Sequence, residues 1–202
     1  AVVLGIVVGV VAAVNHGKCV DSALMTISVF GISAPAFWIA IILQIVICLK
    51  FNLLPLSGID SFKSFILPGI ALGTRYAASI ARITRTSMLD VLSQDYIRTA
   101  EAKGLKGWVV TIKHALRNAL IPIITIAGSD LGNILTGSVL VESVFSIPGI
   151  GKMLVDSINT RDLPIVQGGV MYIAVICVIM YLVVDLLYTV VDPRIRLGKE
   201  SS

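Results

Sequence analysis

Apolar residues in this chain come in long runs, not at the spacing of a half-buried strand or a surface helix. Residues 1–14, AVVLGIVVGVVAAV, are wholly apolar, and 23–49 carry no charge. Residues 66–88 are interrupted by Arg75, Arg82 and Arg85, 119–141 by Asp130, and 168–191 by Asp185. Uncharged runs near 18–20 residues predict membrane-spanning helices, so the pattern reads as five spans. The first is partial: 14 residues reach ~21 Å as a helix, against a hydrocarbon core of ~30 Å. Pro35 predicts a kink in the second, because it removes one backbone bond. Gly5 and Gly9 form a GxxxG pair that lets a neighbouring helix approach closely.

The polar intervals complete the plan. Residues 15–22 make a short turn with His16, Lys18 and Asp21; 50–65 form a loop with Asn52, Pro55, Gly58 and Asp60. Residues 142–167 form another, with a turn at FSIPGIG and a short amphipathic piece to Ile158. The longest interval, Ser93 to Pro122, reads SQDYIRTAEAKGLKGWVVTIKHALRNALIP. Asp95 suits an N-cap or a first-turn acid, Tyr96 to Lys103 is a helix-forming run, and Gly104 fits the left-handed residue that ends a helix. A second helix is expected from Lys106–Gly107 through Trp108 to Leu116. The small residues Thr99, Ala100 and Ala102 keep the first helix thin, so that a partner can approach its backbone.

Composition agrees with a membrane protein. Of 202 residues, 56% are hydrophobic and 14% charged, and the mean hydropathy is +0.96; soluble domains are nearer ~25% charged. The net charge of +4 does not point to nucleic acid, because the basic residues sit beside spans. Eleven of the 16 Lys and Arg fall on one side: Lys18, Arg82, Arg85, Arg98, Lys103, Lys106, Lys113, Arg117, Arg194, Arg196 and Lys199. Four fall on the other, Lys50, Lys63, Lys152 and Arg161, and Arg75 lies within the membrane. The positive-inside rule then puts the 93–122 stretch and the C-terminus in the cytoplasm. Without an initiator Met or a basic leader, residues 1–14 read as the inside of a span, not as a signal peptide. Cys19, Cys48 and Cys177 make no CxxC or Cys/His cluster, so neither a metal site nor a disulfide framework is expected. Gly149-Ile150-Gly151-Lys152 lacks the first Gly and the final Ser or Thr of a nucleotide loop and reads as a turn.

The 93–122 stretch resembles the cytoplasmic coupling loop of ABC importer permeases. Their general form is met only at Ala100, Gly104 and Leu116. The version of the peptide/nickel branch, YIRTA-x-AKGL then HALRNAL-x-P, matches Tyr96 to Ala100, Ala102 to Leu105, His114 to Leu120, and Pro122. FGISAPAFWIAIIL with LKFNLLPLSG, and VESVFSIPGIG with RDLPIVQG, extend the resemblance almost end to end. It implies an all-α, polytopic type I importer transmembrane domain over 1–202, with a coupling loop at about 89–118 and outer loops at about 50–65 and 142–167. A sixth span would precede the five. It implies contact with an ATPase through Asp95, Tyr96, Arg98, Thr99, Ala100, Glu101, Ala102, Lys103, Gly104 and Leu105. The implied partners are a second homologous permease subunit, two cytoplasmic ATPase subunits and an outer solute-binding protein, in the bacterial or archaeal inner membrane. No catalytic residue and no cofactor is implied; ATP is hydrolysed on another polypeptide. The implied cargo is a di- or oligopeptide, with nickel or another small solute as the alternative. A proton-coupled secondary transporter, using Asp130, Asp185 and Arg75, would instead keep its uptake after ATP depletion. A non-transporting scaffold would co-purify with no ATPase or binding protein.

Arg75 and Asp130 both fall ~14–18 Å deep, near the midplane. An unpaired charge there costs at least ~2.5–3.5 kcal/mol, so each must face water or a partner. Two readings stand: a place on the translocation path, contacting a zwitterionic peptide, or a structural ion pair or contact with the partner permease. Asp185 lies nearer the cytoplasmic face and is expected to pair with Arg82, and Gly128 and Gly132 predict close helix packing beside Asp130.

Overall fold

The computed structural model describes residues 1–59 and 61–191, with the side chains of 135–137, 185 and 187–191 outside the description. Asp60, the Asp185 side chain and the tail from Asp192 therefore lie outside the described residues, and with them the expected Arg82–Asp185 pair. Every regular element among the described residues is helical. Backbone bonds are then met within each segment, as a hydrocarbon environment requires.

Helix α1 (Val2–Val14) leads through a tight turn at Gly17 (φ +75°) to α2 (Cys19–Ser33). The expected single span over 23–49 is broken, not kinked. Helix α2 stops at Ser33, Pro35 takes extended backbone as the N-cap of α3 (Ala36–Leu43), and the two helices bend by 102°. Proline disfavours helical backbone in the residue before it, which favours a break at Ala34, although α7 runs through Pro122 without one. A π segment, Gln44–Lys50, continues α3, and after the loop and a 3₁₀ turn (Phe62–Phe65) comes α4 (Ile66–Leu92). The polar stretch holds α5 (Asp95–Ala102). The second expected helix starts at Gly107 but does not end at Leu116. The one-turn α6 (Gly107–Val109) and a π segment (Val110–Leu116) run without a break into α7 (Arg117–Val144). Helix α8 (Ile150–Asn159) and α9 (Leu163–Val191) complete the described chain.

Among the described residues two helices are long and apolar enough to cross a membrane alone, Gly107–Ile134 and Leu163–Val184, and the bent pair makes a third candidate. Helix α1 is apolar but short, and α4 spans ~40 Å while carrying Arg75, Arg82 and Arg85 within its 27 residues.

The chain divides into two compact units. The first comprises Ala1–Val29, Ala77–Ser129 and the chain from Tyr181. Its core joins Ala13, Ile80, Met88, Ile97, Val110, Ala119 and Ile123. Here the GxxxG pair meets α4: a Cβ on Gly9 would lie 2.5 Å from the Ala81 carbonyl oxygen and 2.5 Å from Thr84 Cβ. The second unit comprises Phe30–Tyr76 and Asp130–Met180, around Ala40, Leu67, Ala71, Val141 and Phe145. Gln44 Nε2 ties it together, donating to the carbonyls of Leu56 (2.9 Å) and Val144 (3.0 Å).

Candidate functional site

Helix α5 forms because Gln94 supplies an extended N-cap and Asp95 sits in the first turn, where the helix dipole favours an acid. Thr99 Oγ1 donates back to the Asp95 carbonyl at 3.0 Å. At its end, Gly104 (φ +77°) donates to the Glu101 carbonyl at 2.9 Å and Leu105 to that of Ala100 at 3.4 Å. This is the Schellman pattern, which requires left-handed backbone at the residue after the cap. No atom lies within 4 Å of a Cβ built on Gly104, so the conformation alone selects glycine.

The helix has two distinct faces. Ile97 and Ala100, three residues apart, are 1% and 8% exposed and pack into the first unit's core. Burying the Ile97 side chain contributes about 1.5–3 kcal/mol, enough to fix so short a helix in place. Asp95, Tyr96, Arg98, Thr99, Glu101, Ala102, Lys103 and Leu105 are exposed. Arg98 and Asp95 stand 4.0 Å apart with both side chains largely in solvent, so the pair adds little. Asn118 Nδ2 donates to Tyr96 Oη (2.9 Å) and to the His114 carbonyl (2.8 Å), tying α5 to the base of α7. Of the three small residues expected on a partner-facing surface, Thr99 and Ala102 are open and Ala100 is turned inward. Ile97 is the anchor that sequence reasoning missed; its signal was an apolar residue three places before a small one in a charged helix.

Arg75 and Asp130 lie in the second unit. Asn133 hydrogen-bonds the Asp130 carboxyl, and the Arg75 charge acts on it. Asp130 Oδ2 is buried without a hydrogen-bond partner, whereas Arg75 is exposed. Gly128 and Gly132 flank Asp130 in α7, and Cys177 Sγ of α9 lies 4.0 Å from the Gly132 carbonyl.

Two further polar clusters had no motif to announce them. Asp21, in the first turn of α2 and outside the apolar run from Ala23, is 4% exposed. Arg85 grips it with two bonds, Nε to Oδ1 at 2.6 Å and Nη2 to Oδ2 at 2.7 Å. The Gly17 amide and His16 Nδ1 each approach Oδ2 at 3.2 Å. The Arg85 bonds hold the Asp21 carboxyl well below the usual carboxylate range, against burial that pushes it up. In the second unit, Glu142 Oε2 accepts from the amides of Gly151 (2.8 Å) and Lys152 (3.3 Å), capping α8. A Cβ on Gly151 would lie 2.4 Å from Val139 Cα, so this seat admits only glycine without a shift of backbone.

Comparison with known proteins gives the site a setting. The family model described as binding-protein-dependent transport system inner membrane component matches residues 5–197. The dipeptide transport system permease protein DppB of Bacillus subtilis (strain 168) is 46% identical over 201 residues, covering 100% of this chain and 65% of that protein. The glutathione transport system permease protein GsiC of Escherichia coli (strain K12) is 45% identical over 196 residues, covering 97% of this chain and 64% of that protein. The chain thus spans a little under two thirds of the length of each.

Proposed function

Because the chain belongs to the family of binding-protein-dependent transport system inner membrane components, we propose that it is a permease subunit of an ATP-driven importer for di- or oligopeptides. The observation that carries this reading is the two-faced helix α5. Its Ile97–Ala100 face is anchored in the core that also holds α1, α4 and α7 residues, and its other face is bare. A cytoplasmic ATPase that grips the bare face moves the anchored one, and with it the helices that α5 packs on. A short helix held at Gly104 and Tyr96 transmits such a displacement; an unanchored loop would absorb it.

The ATPase is a separate polypeptide, paired with a second one, and a second permease subunit completes the pathway. An outer solute-binding protein delivers the cargo to the face that carries 50–65 and 142–167. The stretch around α5 is then cytoplasmic, as the distribution of Lys and Arg favours. Peptide as cargo is supported by the two relatives named for a dipeptide and for glutathione, itself a small peptide. Arg75 and Asp130 are assigned to the translocation path: the exposed Arg75 guanidinium suits the carboxylate end of a zwitterionic peptide, and Asp130 Oδ2, buried without a hydrogen-bond partner, is the acceptor left for its ammonium end.

The test is uptake by the full-length importer in proteoliposomes. Gly104→Pro demands negative φ where +77° is found and removes the amide bonded to Glu101. Ala100→Trp overfills a buried seat. Both variants are expected to insert and assemble, and to lose ATP-dependent uptake. Normal uptake in both overturns the coupling role, and uptake that survives ATP depletion overturns the importer class.

A further inference from the structure

Between α2 and α4 the first unit opens a cleft of about 550 Å³, lined by Arg82, Arg85 and Thr86 on one wall and Ser22, Met25 and Thr26 on the other. Its charges are unequal. Asp21, at its edge, is already satisfied by two bonds from Arg85. Arg82 is exposed, one helical turn from Arg85, and among the described residues no acid pairs with it. The cleft therefore has one cation in excess and three hydroxyl-bearing side chains, with Met25 and Val29 supplying an apolar lip. Asp21 lies beside the polar turn, which sets Arg85 at the membrane–water boundary and Arg82 about 5 Å further into the chain's apolar zone. A guanidinium there reaches back to headgroup depth, where an anion stabilises it.

We propose that this cleft binds the phosphate of an acidic phospholipid, held by Arg82 and the free edge of Arg85, with an acyl chain along Met25 and Val29. A soluble phosphate has the same head chemistry but gains nothing from that wall. Basic pockets between spanning helices commonly take acidic headgroups. Nothing in the coupling role requires this site, though the inference rests on the membrane reading given above.

Native mass spectrometry of the full-length permease complex in detergent tests it, titrating phosphatidylglycerol, phosphatidylcholine and inorganic phosphate separately. Phosphatidylglycerol is expected to be retained in preference to phosphatidylcholine. Arg82→Gln is expected to weaken its retention about fivefold, the factor one cation contributes near an anionic surface, with Arg82→Lys recovering most of it. Equal retention of both lipids, or an Arg82→Gln complex that holds phosphatidylglycerol as wild type does, overturns the proposal. Displacement of the lipid by millimolar inorganic phosphate assigns the cleft to a soluble anion and overturns it too. Uptake is measured separately on the same preparations, so a failed importer assay and a failed lipid assay remain distinguishable.

Discussion

Asp21 is buried and accepts hydrogen bonds from two separate elements of the first unit. Its carboxylate joins the turn at Gly17 to α4 through Arg85, and Arg85 is itself only 23% exposed. Removing one partner of a buried pair strands the other, at a cost of about 3–5 kcal/mol. Asp21→Asn is therefore expected to lower thermal stability by an amount near the bottom of that range, since Arg85 retains some access to water. The pH dependence has a definite sign. A carboxyl whose folded value is depressed stabilises fully above the unfolded value of about 4, and the contribution is lost progressively as pH falls from there through the folded value. Melting curves on acidification should show wild type converging on Asp21→Asn below about pH 4. A constant gap between them would mean that the pair contributes no charge-dependent stability.

At the scale of elements, helix α1 is held to α4 by closeness rather than by side-chain volume. Gly9 leaves room for the Ala81 carbonyl and Thr84, and Gly5 for Ile80 and the Ala77 carbonyl. Gly9→Val is expected to cost about 1–3 kcal/mol by overpacking, read as a lowered melting temperature. Gly69→Ala, which meets nothing within 4 Å, is expected to leave stability equal or raised. Equal effects from both would show that α1 and α4 are not in tight contact. The same elements show what was legible in the sequence. The apolar runs gave the helices, and Gly104 gave the end of α5, because only glycine adopts φ near +77° without strain. The ends of α7 and α8 use the same hydrogen-bond pattern with Ser146 (φ +51°) and Arg161 (φ +59°), residues that carry no such signal. Pro35 was visible, but whether it bends or breaks a helix depends on packing that local sequence does not encode. Asp21–Arg85 and Glu142–Gly151 pair residues 64 and nine positions apart, and neither spacing forms a local pattern.

For the whole molecule, the two units hold different polar features. The first presents α5, with one face anchored and one face open; the second holds Arg75, Asp130 and the α8 seat on Glu142. The central claim is that the open face of α5 is where a motor subunit pushes. Photo-crosslinking in the assembled importer tests this, with Cys19, Cys48 and Cys177 replaced by serine and single cysteines introduced at Thr99, Ala102 and Ile97 to carry a thiol-reactive photocrosslinker. ATPase crosslinks are expected from Thr99→Cys and Ala102→Cys, which lie on the open face, and none from Ile97→Cys, which is 1% exposed. An intact complex in which neither open-face position crosslinks, or in which position 97 crosslinks as well as they do, would contradict it.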